Sequence, residues 1–587
     1  MSYLRDRELL LVLDNFEHVM DAAPAVAELL GRTDRLEVLV TTREVLRISG
    51  EHEFDVPPLP LPSGSDLDDV ASSEAVRLFL ERAEAAQRDF RLTADNAGAV
   101  AEIARRLDGL PLAIELAAAR VRLMGPDVIV GKLAGRLELL TGGPRDAPER
   151  HRTLRATIAW SYDLLDAPDR LLLERLAVFS GGFALDAAEA VSAGDGVDDV
   201  LGGLASLTEK SLVRPQAGAG DEPRFTMLET LRDYALERLH EHGDVEAVGR
   251  RHAAFFLDLA ERARPWFSTP DQDRWLSRFR AESANIRASC RWFGERGEPG
   301  SVVRMGWALW PFWWQEGHLL EGAGWMEDAL RRGDLLDDHD RANASTVLGL
   351  LSFGLGDYQS AAPNLRRGAE LSRRTANPFG LGMALALGGV IAAVQGSVSE
   401  AEESLAGARA AFEAADDPWG LSFADYTLGR MLLLSGRNDE ALSVLERSVA
   451  GARQVGEKTL LALTLINLGW SRLAAGDLTG ATGVLRESLD LIVRLHNRID
   501  AARAIEGLAA AAAAGGAGEL GAQLFGAAEG VRRTIGVGVW LPDLPTHQRT
   551  EQALVAMLGH DRFERCFSAG TRLSAGDALE LAGSLST

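Results

Sequence analysis

Near the start of the chain, two turns carry the residue types that handle phosphate. Asp14 closes the apolar run LLLVLD, and Thr41, Thr42 and Arg43 close a second run, LEVLVTTR. A carboxylate at the C-terminal end of a strand sits where open α/β sheets place ligand chemistry. There it can hold a magnesium ion through water. Arg43 offers a planar fork of donors suited to a terminal phosphate, with the Thr42 hydroxyl beside it. The plainer alternative is a buried strand ended by a solvated acid and a surface arginine. The first strand alone favours that alternative, whereas the two strands and their spacing favour magnesium and phosphate.

Positioning those side chains requires a strand–helix–strand unit. The first run is short and wholly apolar, as a parallel strand covered on both faces is, and LEVLVTTR reads as a second strand. Between them HVMDAAPAVAELLGR reads as a helix closed by Gly31 and Arg32. A phosphate loop should accompany such a unit, yet no GxxxxGK[ST] occurs anywhere in the sequence. The nearest approach, GARQVGEKT from Gly451 to Thr459, has Glu457 inserted before the lysine and no strand before it. GKL at Gly131 lacks the upstream glycine and the hydroxyl residue.

With these pieces the chain resembles bacterial STAND ATPases of the NB-ARC type, found in large LuxR-like and antibiotic-pathway regulators. LLLVLDNFEHV resembles their Walker B segment and VLVTTREVLRISGE their sensor segment. RLDGLPLAIELAAARVRLMGP resembles the GLPL segment, and HRTLRATIAWSYDLLDAPDRLLLERLAVFSGGF with RFTMLETLRDYALERL the winged helix that follows. The resemblance runs in the family's order over residues 1 to about 240. It implies an ATP/ADP switch with magnesium: Asp14 as the Walker B acid holding magnesium through water, Thr42 and Arg43 as phosphate sensor, and Gly109 and Pro111 on the adenine side. Two departures count against a working enzyme. Asn15 stands where many relatives have a second acid, with Glu17 as a weak substitute, and MLE (227–229) replaces Met-His-Asp. The family is a slow ATPase; this chain, without Walker A, is expected to be inactive alone and to bind nucleotide weakly. A truncated product or a misplaced start is the expected origin of that gap, with a split receptor as the runner-up.

At 587 residues with 46% hydrophobic and 25% charged residues, the chain is long enough for several cores. A net charge of −24 argues against a general phosphate-backbone binder. Cys290 and Cys566 stand far apart without metal-ligand spacing and read as reduced thiols. No run is apolar and long enough to span a membrane, and MSYLRDRE has no signal-peptide core, so a cytoplasmic protein is expected.

The C-terminal half carries a ruler. Gly356, Gly396, Gly436, Gly476 and Gly516 fall 40 residues apart. Gly349, Gly389, Gly429 and Gly469 precede the first four, and Leu365, Leu405, Leu445 and Leu485 follow them at constant offsets. Such a period means a helical solenoid resembling the tetratricopeptide group, each leucine being expected to pack into the next pair. Upstream, WALWPFWWQEGHLLEGAGW concentrates Trp307, Trp310, Trp313, Trp314 and Trp325, either as core or as the lining of a ligand pocket.

The expected architecture is multidomain and mostly α. It comprises a partial P-loop NTPase α/β remnant (1–62), a helical NB-ARC subdomain (63–145), a winged helix (146–245), a helical linker (246–300), tetratricopeptide-like repeats (301–540) and a helical cap (541–587). The expected function is signal transduction in transcription regulation, with a protein or small-molecule inducer at the repeats and nucleotide-dependent self-association. Neither direct nucleic-acid binding nor membrane association is expected, and no LuxR-type helix-turn-helix follows the repeats. The alternative is a nucleotide-independent interaction scaffold.

Overall fold

The computed structural model describes residues 8–133, 154–216, 222–265, 269, 271–495, 497–535, 538–540 and 543–585, apart from positions 15, 17, 18, 34, 43, 44, 65 and 195. The chain divides into two units, Met1–Phe255 and Phe256–Thr587. Among the described residues it is mostly helical, with two short sheets.

The first unit opens with the expected strand pair. β1 (Leu9–Leu13) runs parallel to β2 (Leu36–Val40), Leu11 facing Val38. Between them α1 (Ala23–Gly31) starts later than the apolar pattern suggests, because Pro24 lies in its first turn, where a missing N–H costs nothing. α1, the turn after β1 and the segment after β2 bury one face of the pair through Phe16, Ala23, Val26 and Leu46. The other face is bare: Leu10, Val12 and Leu39 are each more than half exposed. Coverage of β1 on both faces, expected from its unbroken apolar run, is therefore absent among the described residues.

Five helices follow: α2 (Leu67–Ser72), α3 (Glu74–Ala86), α4 (Ala94–Arg106), α5 (Pro111–Ala118) and α6 (Pro126–Leu133). The Pro-rich stretch before α2, which reads as a linker, is bonded along this subdomain. Leu59 N donates to Gly109 O at 3.0 Å, and the Ser73 hydroxyl donates to Pro60 O at 2.8 Å.

The winged helix is built from α7 (Leu154–Asp163), α8 (Ala167–Leu176), β3 (Phe183–Ala184), α9 (Leu185–Ser192), α10 (Val200–Glu209), β4 (Arg214–Gln216), β5 (Arg224–Thr226) and α11 (Glu229–His242). Its antiparallel sheet has the order β3-β5-β4, and Phe179, Phe183 and Phe225 stack beneath it at 4.9 and 6.0 Å. β4 and β5 fall within SLVRPQAGAGDEPRFTML, two strands either side of a Gly-rich turn sequence, whereas the two-residue β3 is too short to leave a pattern. α12 (Val245–Ala263) continues into the second unit.

The second unit stacks helix pairs. α13 (Gln272–Glu295) leads into α14 (Pro299–Glu316) and α15 (Leu319–Arg331), then α16 (Asp338–Gly354) and α17 (Tyr358–Arg374), and α18 (Pro378–Val394) and α19 (Val398–Ala414). α20 (Pro418–Leu434) and α21 (Asn438–Val455), α22 (Lys458–Ala474) and α23 (Leu478–Leu495), and α24 (Arg498–Ala514) and α25 (Gly518–Ile535) complete the pairs. α26 (Leu544–Leu558), α27 (His560–Gly570) and α28 (Ala575–Ala582) pack against the last of them.

The ruler glycines have two separate reasons. Those at the turn of each pair, Gly356 to Gly516, have φ between 72° and 82°, where a Cβ is strained. Those seven residues earlier sit in mid-helix against the ruler leucines: a Cβ on Gly349, Gly389, Gly429 or Gly469 would lie 2.5–2.8 Å from Leu365, Leu405, Leu445 or Leu485. Each leucine thus fills the crossing within its own pair. Leu485 also reaches the next pair at Gly507, which is the packing the repeat pattern suggested for all of them.

The segment read as a linker contributes α13, which is bonded into the solenoid. Gln272 donates to the Thr459 hydroxyl at 2.9 Å and accepts from Lys458 N at 2.7 Å. Arg280 donates to Leu495 O at 2.9 Å. Gln315, 144 residues before Thr459, also donates to that hydroxyl at 2.9 Å. The superhelix therefore turns back until its first helices touch α22 and α23. No helix among the described residues is long and apolar enough to cross a membrane.

Candidate functional site

The phosphate-chemistry residues are only partly brought together. Asp14 leaves the end of β1 and accepts a hydrogen bond from the Thr41 hydroxyl, which leaves the end of β2. Thr41 N donates to Leu13 O and Phe16 N to Thr41 O, both at 3.0 Å, so the two strand ends are laced side by side. The Thr42 hydroxyl approaches Met20 Sδ at 3.9 Å. Arg43 and Glu17 lie outside the described residues, as does Asn15.

Gly109 lies just before the Leu110 cap of α5, which Pro111 opens. Gly109 has φ of 67°, and a Cβ there would sit 2.2 Å from Leu59 O, so glycine is required for the Pro-rich stretch to dock. Neighbouring Asp108 faces the start of α11, accepting from Thr230 N at 3.4 Å. Burial pushes its carboxyl up to about 6, against the opposing pull of the Thr230 N–H. This joins the GLPL turn to the segment directly after MLE, a junction with no local signal in the sequence.

The larger site lies in the repeats. A cavity of about 490 Å³ opens on the concave side of the solenoid, lined mainly by the first helix of each pair from α14 to α22. That is within the range of small-molecule sites. The tryptophan-rich segment divides by helix face. Trp307 and Trp313 are buried in the packing, whereas Trp310 and Trp314, one turn apart on α14, line the cavity. The facing stripe is on α20: Trp419, Phe423, Tyr426 and Arg430 recur at helical spacing and all line it. Trp419 and Phe423 are parallel at 5.1 Å, and Trp310 and Phe379 lie 6.2 and 6.0 Å from Trp419.

The two ends of the α20 stripe differ chemically. Beside its N-terminus stand Asp417, Glu457 and Arg264. Glu457 caps α22, accepting from Leu460 N at 2.6 Å and from the Trp419 indole at 3.3 Å, and burial raises its carboxyl. Arg264 lies over Trp307 and Phe379, and burial lowers it against the attraction of Asp417. At the other end Arg430 donates to Asp543 at 3.1 Å, and Arg503 reaches the same carboxylate at 2.9 Å. Burial alone would raise Asp543; the two guanidiniums hold it below the ordinary carboxylate range. Trp540 lies under both, 5.5 and 5.0 Å from their guanidinium carbons.

Arg430, Trp419 and Trp540 were missed at the sequence level. An arginine inside LGRMLLL was the available signal, since a charge in an apolar helix run needs a buried partner. Gly451–Thr459, rejected as a phosphate loop, is the junction between α21 and α22, and its Glu457 and Thr459 line the cavity.

A parallel strand pair, a winged helix and a solenoid of helix pairs thus occur in one chain. Comparison with known proteins agrees. A winged helix-turn-helix domain family matches residues 165–240 and a tetratricopeptide repeat family residues 420–492. An HTH-type transcriptional regulator of Mycobacterium tuberculosis is 35% identical over 499 residues, covering 83% of this chain and 54% of that protein. Regulatory protein AfsR of Streptomyces griseus is 26% identical over 524 residues, covering 83% and 50%. The chain thus spans about half the length of these curated relatives. A STAND protein with a tetratricopeptide repeat sensor from Pyrococcus horikoshii overlays with a TM-score of 0.40 at 13% identity, over 96% of this chain and 83% of that one. Over most of its length the chain is thus similar to bacterial regulators that carry further sequence beyond the matched part.

Proposed function

We propose that this chain is the signal-receiving part of a transcriptional regulator, and that the cavity in its repeats receives the signal. The observation that supports this reading is a set of buried polar atoms without partners around one cavity: Arg430 Nε and Nη1, Gln315 Oε1, and the indole nitrogens of Trp314 and Trp540. Buried polar groups are costly when unpaired, and a bound molecule that pairs them gains what the free protein lacks. Such a molecule regulates only if it binds two states of the protein unequally.

The strand pair would supply the magnesium side of an ATP/ADP site through Asp14, with Thr42 and Arg43 on the phosphate and Gly109 and Pro111 beside adenine. Without a GxxxxGK[ST] sequence this chain lacks the nest of backbone donors that cradles phosphates, so nucleotide binding is weak and hydrolysis is not its task. The winged helix relays rather than reads DNA. α10, placed as the second helix of a helix-turn-helix, carries no Arg, Lys, Asn or Gln to meet base edges.

The test is native mass spectrometry of the full chain purified from its own cells. Retention of a small molecule by the native chain, lost when Leu387→Trp fills the cavity, is the expected result. An unchanged bound mass in the filled variant, or no bound mass under any growth condition, would overturn the reading.

A further inference from the structure

The cavity's own chemistry narrows what it takes. We infer that its ligand is an uncharged, planar, conjugated small molecule carrying a carbonyl-type acceptor at one end. The inference rests on the cavity reading above and deepens it.

Three observations converge. The walls beside α20 are aromatic at several inclinations, from the parallel Trp419–Phe423 pair to Trp310 tilted by 57° against Trp419. A flat π-system gains both stacked and edge contacts from such walls, and an aliphatic chain gains neither. The unpaired atoms at the Arg430 end are nearly all donors: Arg430 Nε and Nη1 and the Trp314 and Trp540 indoles. Arg430, Trp540 and Gln315 are each more than nine-tenths buried. These donors call for an acceptor oxygen, and Gln315 Oε1, which lines the same cavity, accepts a hydroxyl or N–H.

Charge then separates a carbonyl from a carboxylate. Arg430 and Arg503 share Asp543, and Arg503 is also paired with buried Asp500 at 3.1 Å. Two cations meet two anions, so a carboxylate there would add an uncompensated buried charge, whereas a carbonyl would not. Glu457 and Asp417 at the far end reinforce the preference against an acid. From Trp419 to Arg430 the stripe rises over eleven residues, about 16 Å of helix, which sets the length of the flat body. An extended peptide is disfavoured because the bonds from Gln272 and Gln315 to Thr459 interrupt the concave groove it would follow.

The test titrates the full chain with pyrene, 1-acetylpyrene and pyrene-1-carboxylate, read by tryptophan quenching and by calorimetry. All three share one flat body, so their differences report the polar end. The expected order is 1-acetylpyrene tightest, by about fivefold or more over pyrene, the advantage of one or two buried hydrogen bonds. Trp314→Phe removes one donor without leaving a partner unpaired, so it should cut the ketone's advantage and spare pyrene itself. If the carboxylate binds tightest, or if the three bind equally and Trp314→Phe changes nothing, the ligand class is wrong while the cavity reading stands. If none of the three binds, both fall.

Discussion

Gly388 and Gly389 stand side by side in α18 and should respond to alanine with opposite signs. A Cβ on Gly388 meets nothing within 4 Å. Gly388→Ala should therefore stabilise α18 by about 0.5–1 kcal/mol, the helix-propensity gain alone. A Cβ on Gly389 would lie 2.8 Å from Leu405 Cγ and 3.2 Å from the backbone oxygen of Ala401. Overpacking a tight crossing costs about 1–3 kcal/mol, so after the same propensity gain Gly389→Ala should be destabilising by up to about 2 kcal/mol. Hydrogen exchange of peptides from α18 and α19 reports this locally, where global unfolding of so long a chain is not two-state. Adding Leu405→Ala to Gly389→Ala should recover part of the loss, because the clashing atoms are gone. If both alanines shift exchange in the same direction, the explanation of the forty-residue ruler as a steric crossing is wrong.

Asp108→Asn should stabilise the first unit at pH 7 and above by about 2 kcal/mol, allowing for the partial exposure of the carboxyl. Because the folded carboxyl titrates at about 6 against 3.8 for the free group, its ionisation penalty grows as pH rises between those values. The gain should vanish near pH 4, and thermal unfolding of both forms from pH 4 to 8 reads it. Gly109→Ala should cost about 2 kcal/mol or more, from the left-handed φ and the close approach to Leu59 O, and should expose residues 57–62 to limited proteolysis. Cys290 is fully buried with its thiol pushed up to about 12, whereas Cys566 is partly exposed. A thiol reagent at pH 7.5 should modify one cysteine of the native chain and two after unfolding.

The parts of the molecule legible in its sequence are those set by short-range pattern. Gly356 to Gly516 announce the repeats because each turn needs a left-handed residue at the same place. LLLVLD and LEVLV announce a parallel pair because apolar runs of that length suit strands. The bare face of Leu10, Val12 and Leu39 was not legible, since burial depends on which elements lie nearby rather than on the strand. Neither was the cavity. Trp314, Arg430, Thr459 and Trp540 come from four separate parts of the solenoid and meet only because the superhelix turns back on itself through Gln272 and Gln315. No local periodicity records that curvature. The tryptophan segment shows the same limit: its density favoured core over pocket, whereas helix face assigns Trp313 to the core and Trp310 to the cavity.

The account holds that the signal enters through the repeats and that this chain supplies only part of a nucleotide site. Isothermal titration of the 587-residue chain with Mg-ATP and with ADP tests that most directly. The account predicts no saturable binding tighter than about 100 μM for either nucleotide, because Asp14 and Thr42 act without a phosphate-cradling loop. Micromolar binding of Mg-ATP, abolished by Asp14→Asn, would contradict it and show a complete nucleotide site within this chain.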